Sequence, residues 1–163
     1  ASIGYLPENH RIPPSLSGWR YLLRCAELLD MSRSDAADQC GRIVKLIGMQ
    51  GREHAPAGSY SKGMIQRFGL GAALVGDPKL LILDEPTSGL DPIGIRETRL
   101  LLESLKERGM TIFLNSHLLS EVEKLCDTAA IINRGALLVK DAISAIVRDG
   151  DTLEDVFVRL VKG

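Results

Sequence analysis

Residues 80–91 read LLILDEPTSGLD, and the fold of the chain is decided by how this stretch is taken. Leu80, Leu81, Ile82 and Leu83 are too few for a helix of their own but suit a strand buried on both faces, and they run directly into two acids, Asp84 and Glu85. In an open parallel α/β sheet, ligands sit outside the carboxyl ends of the strands. A carboxylate pair there is well placed for a metal ion and a reacting water. Pro86 stops the strand and Gly89 loosens the loop that follows. The plainer alternative is that Asp84 and Glu85 cap the next helix, a common use of acids after a strand.

The alternation around this stretch is that of strands and crossover helices. Strands are expected at 80–84, 111–115 and 129–133, with helices near 93–108 and 118–125 between them, the rhythm of a parallel sheet. Residues 2–5 read as the end of another strand, broken by Pro7. Residues 136–139 follow the turn Asn133, Arg134 and Gly135 and pair back as a hairpin or edge strand. Between 13 and 75 strand propensity is nearly absent. Trp19, Leu22, Leu23, Ala26 and Leu29 recur at helical spacing over 16–29, and Ser32 or Ser34 caps a second helix over 35–47. Ser61 caps a third, running to about residue 75 and ended by Gly76, Asp77 and Pro78. A last amphipathic helix follows Thr152, with Leu153, Val156, Phe157, Leu160 and Val161 on its inner face.

Composition bounds the function classes. The chain has 163 residues, of which 45% are hydrophobic, enough for one substantial core. Twenty basic and 21 acidic residues leave a net charge of -1, so charge offers no reason to expect nucleic acid or an anionic lipid surface. Cys25, Cys40 and Cys126 are odd in number, far apart and without a CxxC pair, which fits buried thiols in a reducing compartment. No apolar run approaches the length of a membrane span, and the first residues lack the pattern of a signal peptide.

Four islands stand in order along the chain: Gly4-Tyr5-Leu6-Pro7-Glu8; Tyr60-Ser61-Lys62-Gly63-Met64 with Gln66 and Arg67; the stretch 80–91; and Asn115-Ser116-His117. Together they resemble the nucleotide-binding domain of ATP-binding cassette (ABC) transporters, in which they would be the Q-loop, the signature motif, Walker B with the D-loop, and the H-loop. The resemblance implies an α/β, P-loop NTPase-like (RecA-like) parallel sheet with an inserted all-helical subdomain. Residues 1–12 and 76–163 would form the core, and residues 13–75 the helical subdomain ending in the signature helix. It also implies an ATPase whose cofactors are ATP and Mg²⁺. Asp84 would hold the metal, with Glu8 as a further ligand. Glu85 would activate the attacking water, and His117 would contact the γ-phosphate and that Glu. Ser61 and Gly63, at a helix N-terminus suited to an anion, would face a nucleotide held by a second nucleotide-binding domain. Asp91 would lie along the seam of that head-to-tail dimer. The remaining partner would be a transmembrane permease, with the protein peripheral to the cytoplasmic face of the membrane. The ending of the chain and the YSKGM signature are most similar to bacterial export-type subunits.

The sequence departs from the family pattern in three places. YSKGM stands where LSGGQ is commonest, so Lys62 adds charge beside a phosphate or points to solvent. Glu8 stands where a Gln is usual and offers only acceptors when ionised. No G-x-x-x-x-G-K-[ST] loop occurs, so the N-terminal strands and phosphate cradle are expected to be missing and ATP binding by this piece alone to be weak. The missing strands are also expected to leave apolar surface uncovered. Two rival readings remain from the residues. One is a truncated, non-hydrolysing cassette that completes a partner's ATP site in trans; the other is a cassette ATPase of repair or translation.

Overall fold

Short polar side chains set where the helices of the first half begin. In the computed structural model, which describes residues 3–148 and 150–162, Ser17, Ser32 and Ser61 cap helices α1 (Gly18–Glu27), α2 (Arg33–Leu46) and α3 (Lys62–Leu74). Each Oγ accepts a hydrogen bond from the N–H three residues on, which satisfies one donor of the open first turn. No strand interrupts residues 13–75, although a single 3₁₀ turn (Ala57–Ser59) precedes α3. Leu29, expected on the apolar face of the first helix, lies beyond its end and is exposed.

The chain divides into two units, Ala1–Asn115 and Ser116–Gly163. In the first, β1 (Ile3–Leu6), β2 (Leu80–Asp84) and β3 (Thr111–Asn115) form a parallel sheet in the order β1-β2-β3. Ile3 is level with Leu80 and Leu80 with Thr111, so the carboxyl ends of all three strands share one edge. The connection between β2 and β3 is α4 (Pro92–Glu107). Leu6, Leu81 and Leu83 are 0% exposed, and α3 packs so close to β1 that a Cβ on Gly4 would stand 2.0 Å from the Ala73 carbonyl oxygen. The opposite face is different. Tyr5 and Phe113, level with Ile82 on either side, are 56% and 63% exposed. The expectation that 80–83 is buried on both faces is therefore corrected: Leu81 and Leu83 are sealed, whereas Leu80 and Ile82 are only half-buried. Gln39, itself buried, accepts the Gly76 N–H on Oε1 and so ties α2 to the turn between α3 and β2.

The second unit has its own small core. Here α5 (Leu119–Leu125) leads to a hairpin of β4 (Thr128–Asn133) and β5 (Ala136–Ala142), followed by α6 (Ile143–Ile146) and α7 (Leu153–Lys162). Arg134 and Gly135 both take positive φ, 49° and 81°, the geometry of a type I′ hairpin turn. Ile131, Leu153 and Val156 are buried together, with Leu119, Val122, Val139 and Phe157 packed around them. Thr152 and Asp155 exchange hydrogen bonds at the start of α7, and the two from Thr152 hold the Asp155 carboxyl below its usual range. Two expectations change. Residues 129–133 do not extend the parallel sheet, since β4 pairs antiparallel with β5 among the described residues. Leu160 and Val161 are exposed, because the core of this unit takes only the first turn and a half of α7. Among the described residues no helix is long and apolar enough to cross a membrane.

The three cysteines are free thiols, and burial pushes Cys40 up to about 11. His10 gives a measurable pH signature. Its ring lies 5.5 Å from that of Tyr21 and against Gly69, its Nε2 is sealed without a hydrogen-bond partner, and desolvation lowers its pKa. The unfolded chain therefore takes up a proton near the ordinary histidine value while the folded chain does not. This contribution to stability is intact above about pH 6.5 and is lost as pH falls below it. A ring titration followed by NMR should place the His10 midpoint below 6.5; a midpoint at or above that value would show that the ring is not held in an apolar setting.

Candidate functional site

The two acids at the tip of β2 are set by the strand beside them. Parallel pairing puts Asp84 level with Asn115, the last residue of β3. The Asn115 side chain donates from Nδ2 to Asp84 Oδ1 at 2.7 Å, and the Asn115 carbonyl accepts the Glu85 N–H at 2.9 Å. Glu85 then turns the chain with φ +48°, a left-handed conformation that a residue with a Cβ adopts only at a cost of about 1 kcal/mol or more. Its carbonyl accepts the Ser88 N–H at 3.1 Å and closes the turn around the buried Pro86 and Thr87.

The helix-capping alternative for these acids does not hold. The cap of α4 is Asp91, whose Oδ1 accepts the Gly94 N–H at 2.7 Å, with Pro92 in the first turn. Asp84 and Glu85 sit a full turn upstream, at the sheet edge. Among the described residues no group of three or more His, Cys, Asp or Glu side chains could hold a metal by itself. An oriented single carboxylate is nonetheless the kind of donor Mg²⁺ uses when phosphates and waters supply the rest of its shell, so Asp84 fits that ion. Glu8 lies at the same edge, exposed in the turn two residues beyond β1.

Ser61, Gly63 and Asp91 are brought together. The N-terminus of α3 and the turn before α4 line a cleft of about 550 Å³ that contains all three, with Lys62, Gly89 and Arg67 beside them. Lys62 does not simply reach into solvent. Its ammonium lies across Gly89, where a Cβ would come within 2.0 Å of Nζ, and Gly89 itself takes φ +67°. Arg67 braces the cleft by an ion pair with Glu97 of α4 and a 3.2 Å hydrogen bond to the Ile47 carbonyl at the end of α2. His117 belongs to the second unit, in the segment before α5, where its carbonyl accepts the Leu119 N–H at 3.1 Å.

Asn115 and Arg67 stand within the motif islands, but sequence reasoning gives neither a role of its own. A signal for Asn115 was present: aligning LLILD with TIFLN as parallel five-residue strands places Asp84 and Asn115 side by side.

A family model described as "ABC transporter" matches residues 1–88, more than half of the 163. The chain belongs to the ABC transporter family. Among curated relatives of this ABC protein, an ABC transporter ATP-binding protein of Nostoc sp. is 40% identical over 152 residues, 92% of this chain and 45% of the relative. The bacitracin transport ATP-binding protein BcrA of Bacillus licheniformis is 44% identical over 137 residues, 83% of this chain and 44% of the relative. The chain thus spans about half the length of these relatives. A solved structure titled "Structure of ATP binding subunit of ABC transporter" superposes with a TM-score of 0.82 at 26% identity, over 98% of this chain and 68% of that one. This ABC chain accordingly has the α/β, P-loop NTPase-like fold with a parallel sheet.

Proposed function

We propose that this chain carries the Walker B, signature and H-loop parts of an ATP-binding transporter subunit that hydrolyses MgATP to power export across a membrane. The observation that carries the reading is the acid pair at the carboxyl edge of β2, with Glu85 held at φ +48° by a hydrogen bond from its own N–H. Asp30, Asp77 and Arg134 share this positive φ in turns elsewhere in the chain, so what sets Glu85 apart is its place beside Asp84 at the carboxyl end of a strand. In this reading residues 1–12 and 76–163 are the ATPase core and residues 13–75 the helical subdomain.

Each residue then has a separate task. Asp84 holds Mg²⁺, with Glu8 as a further oxygen donor at the same edge. Held there, Mg²⁺ would supply positive charge that offsets the charge of the phosphates during transfer. Glu85 accepts a proton from the water that attacks the γ-phosphate, and His117 steadies that phosphate. Ser61 and Gly63 present the N-terminus of α3, with its outward N–H groups, to the γ-phosphate of ATP held by a second nucleotide-binding domain. Asp91 borders the same cleft and so lies at the seam of that head-to-tail dimer. A transmembrane permease at the cytoplasmic face of the membrane is the remaining partner. The names of the bacitracin and lantibiotic transport ATP-binding proteins among the relatives support a transport role.

The test is phosphate release from ATP by the full-length protein. It should require Mg²⁺, and Ser61→Arg, which blocks the α3 end, should slow it at least ~100-fold while MgATP affinity stays within about twofold. Absence of Mg²⁺-dependent hydrolysis would sink the reading as a whole. An unchanged rate in Ser61→Arg would remove the signature end from the site.

A further inference from the structure

We propose that Asn115 is a positioning residue for both acids of the site, a role that rests on the function just assigned to Asp84 and Glu85. The two contacts are of different kinds. The Asn115 carbonyl accepts the Glu85 N–H at 2.9 Å, a main-chain bond that any residue at this position can make. The Asn115 amide donates to Asp84 Oδ1 at 2.7 Å, and this bond depends on the side chain. Both follow from the strand register, which makes Asp84 and Asn115 paired neighbours at the carboxyl edge of the sheet.

The consequence for the metal is geometric. An ionised carboxylate has two oxygens with about four acceptor sites and a freely rotating plane. An amide N–H on Oδ1 fixes that plane and leaves Oδ2 to face a cation. Mg²⁺ tolerates little departure from octahedral geometry, so a carboxylate locked in one orientation binds it better than one that must be ordered on binding. Partners of this sort behind a metal ligand typically contribute ~10–100-fold to metal affinity. By accepting the Glu85 N–H with its carbonyl, the same residue also keeps the neighbouring acid in its left-handed turn. One side chain and one carbonyl thereby set the spacing between the metal-side and water-side carboxylates.

The test uses the full-length protein with ATP bound and Mn²⁺ as the probe, titrated by electron paramagnetic resonance. Asn115→Leu keeps the shape and the main-chain bond and removes only the amide; Asn115→Ala serves if the leucine variant folds poorly. Both should bind Mn²⁺ about tenfold more weakly, while ATP affinity in EDTA stays within about twofold of the parent. Asp84→Asn, measured alongside, separates the two levels of the argument. If Asp84→Asn loses Mn²⁺ and the Asn115 variants bind it like the parent, the positioning role is overturned and the function stands. If Asp84→Asn itself binds Mn²⁺ like the parent, the assignment of Asp84 fails and the positioning role with it. A loss of metal-free ATP affinity as large as the loss of Mn²⁺ affinity would show general damage and would also overturn the proposal.

Discussion

Glu85→Gln should lower the rate of ATP hydrolysis by the full-length protein about 10³-fold while leaving MgATP binding nearly intact. The amide matches the carboxylate in size, so the turn at φ +48° and its hydrogen bond to Asn115 are expected to survive. What it lacks is a proton acceptor. Removing a positioned general base costs ~10²–10⁴ in rate. Asp84, which the Asn115 amide already orients, keeps its metal-side role, so nucleotide should accumulate bound but uncleaved. Single-turnover phosphate release beside equilibrium nucleotide binding measures the two quantities separately. A rate within tenfold of the parent would mean that some other group takes the proton from the water.

Gly4→Ala should destabilise the protein by about 3 kcal/mol, at the upper end of what overpacking costs. For a chain of this size that lowers Tm by roughly 10 °C. The new methyl would stand 2.0 Å from the carbonyl oxygen of Ala73 and 2.9 Å from its carbon, and both are main-chain atoms of α3, so no side-chain rotation relieves the clash. Either β1 leaves its register with β2 or α3 is pushed off the sheet, and the second outcome would also shift Ser61 at the other end of that helix. Gly41→Ala is the control with the opposite sign. Gly41 lies inside α2 with nothing within 4 Å of an added Cβ, so alanine should stabilise by about 0.8 kcal/mol through helix propensity alone. Calorimetric melts of the two variants should therefore move in opposite directions. A Gly4→Ala melt within 2 °C of the parent would mean that α3 does not approach β1 this closely.

Much of this architecture follows from local rules. Ser32 and Ser61 announce their helices because a short oxygen before an apolar period satisfies an open N–H, and that is a property of four consecutive residues. LLILD and TIFLN read as strands because branched residues in runs of four or five cannot make a helix that pays its nucleation cost. The candidate acids were legible for the same reason: charge at the end of an apolar strand is visible in a line of letters. Less was legible of what those letters face. Half-burial of Leu80 and Ile82 and exposure of Leu160 and Val161 depend on which surface arrives from elsewhere in the chain, and local pattern carries no record of it.

The opening stretch divides along that line. Its own residues determined that 80–84 is a strand, that Pro86 ends it and that two carboxylates stand at its tip, because strand length, ring constraint and charge are local. The Asp91 cap of α4 is local too, an Oδ1 accepting the N–H three residues on, whereas tertiary structure alone decided that Asn115 holds both acids in place. That outcome rests on hydrogen bonds whose lengths and directions exist only once β3 has come into register with β2.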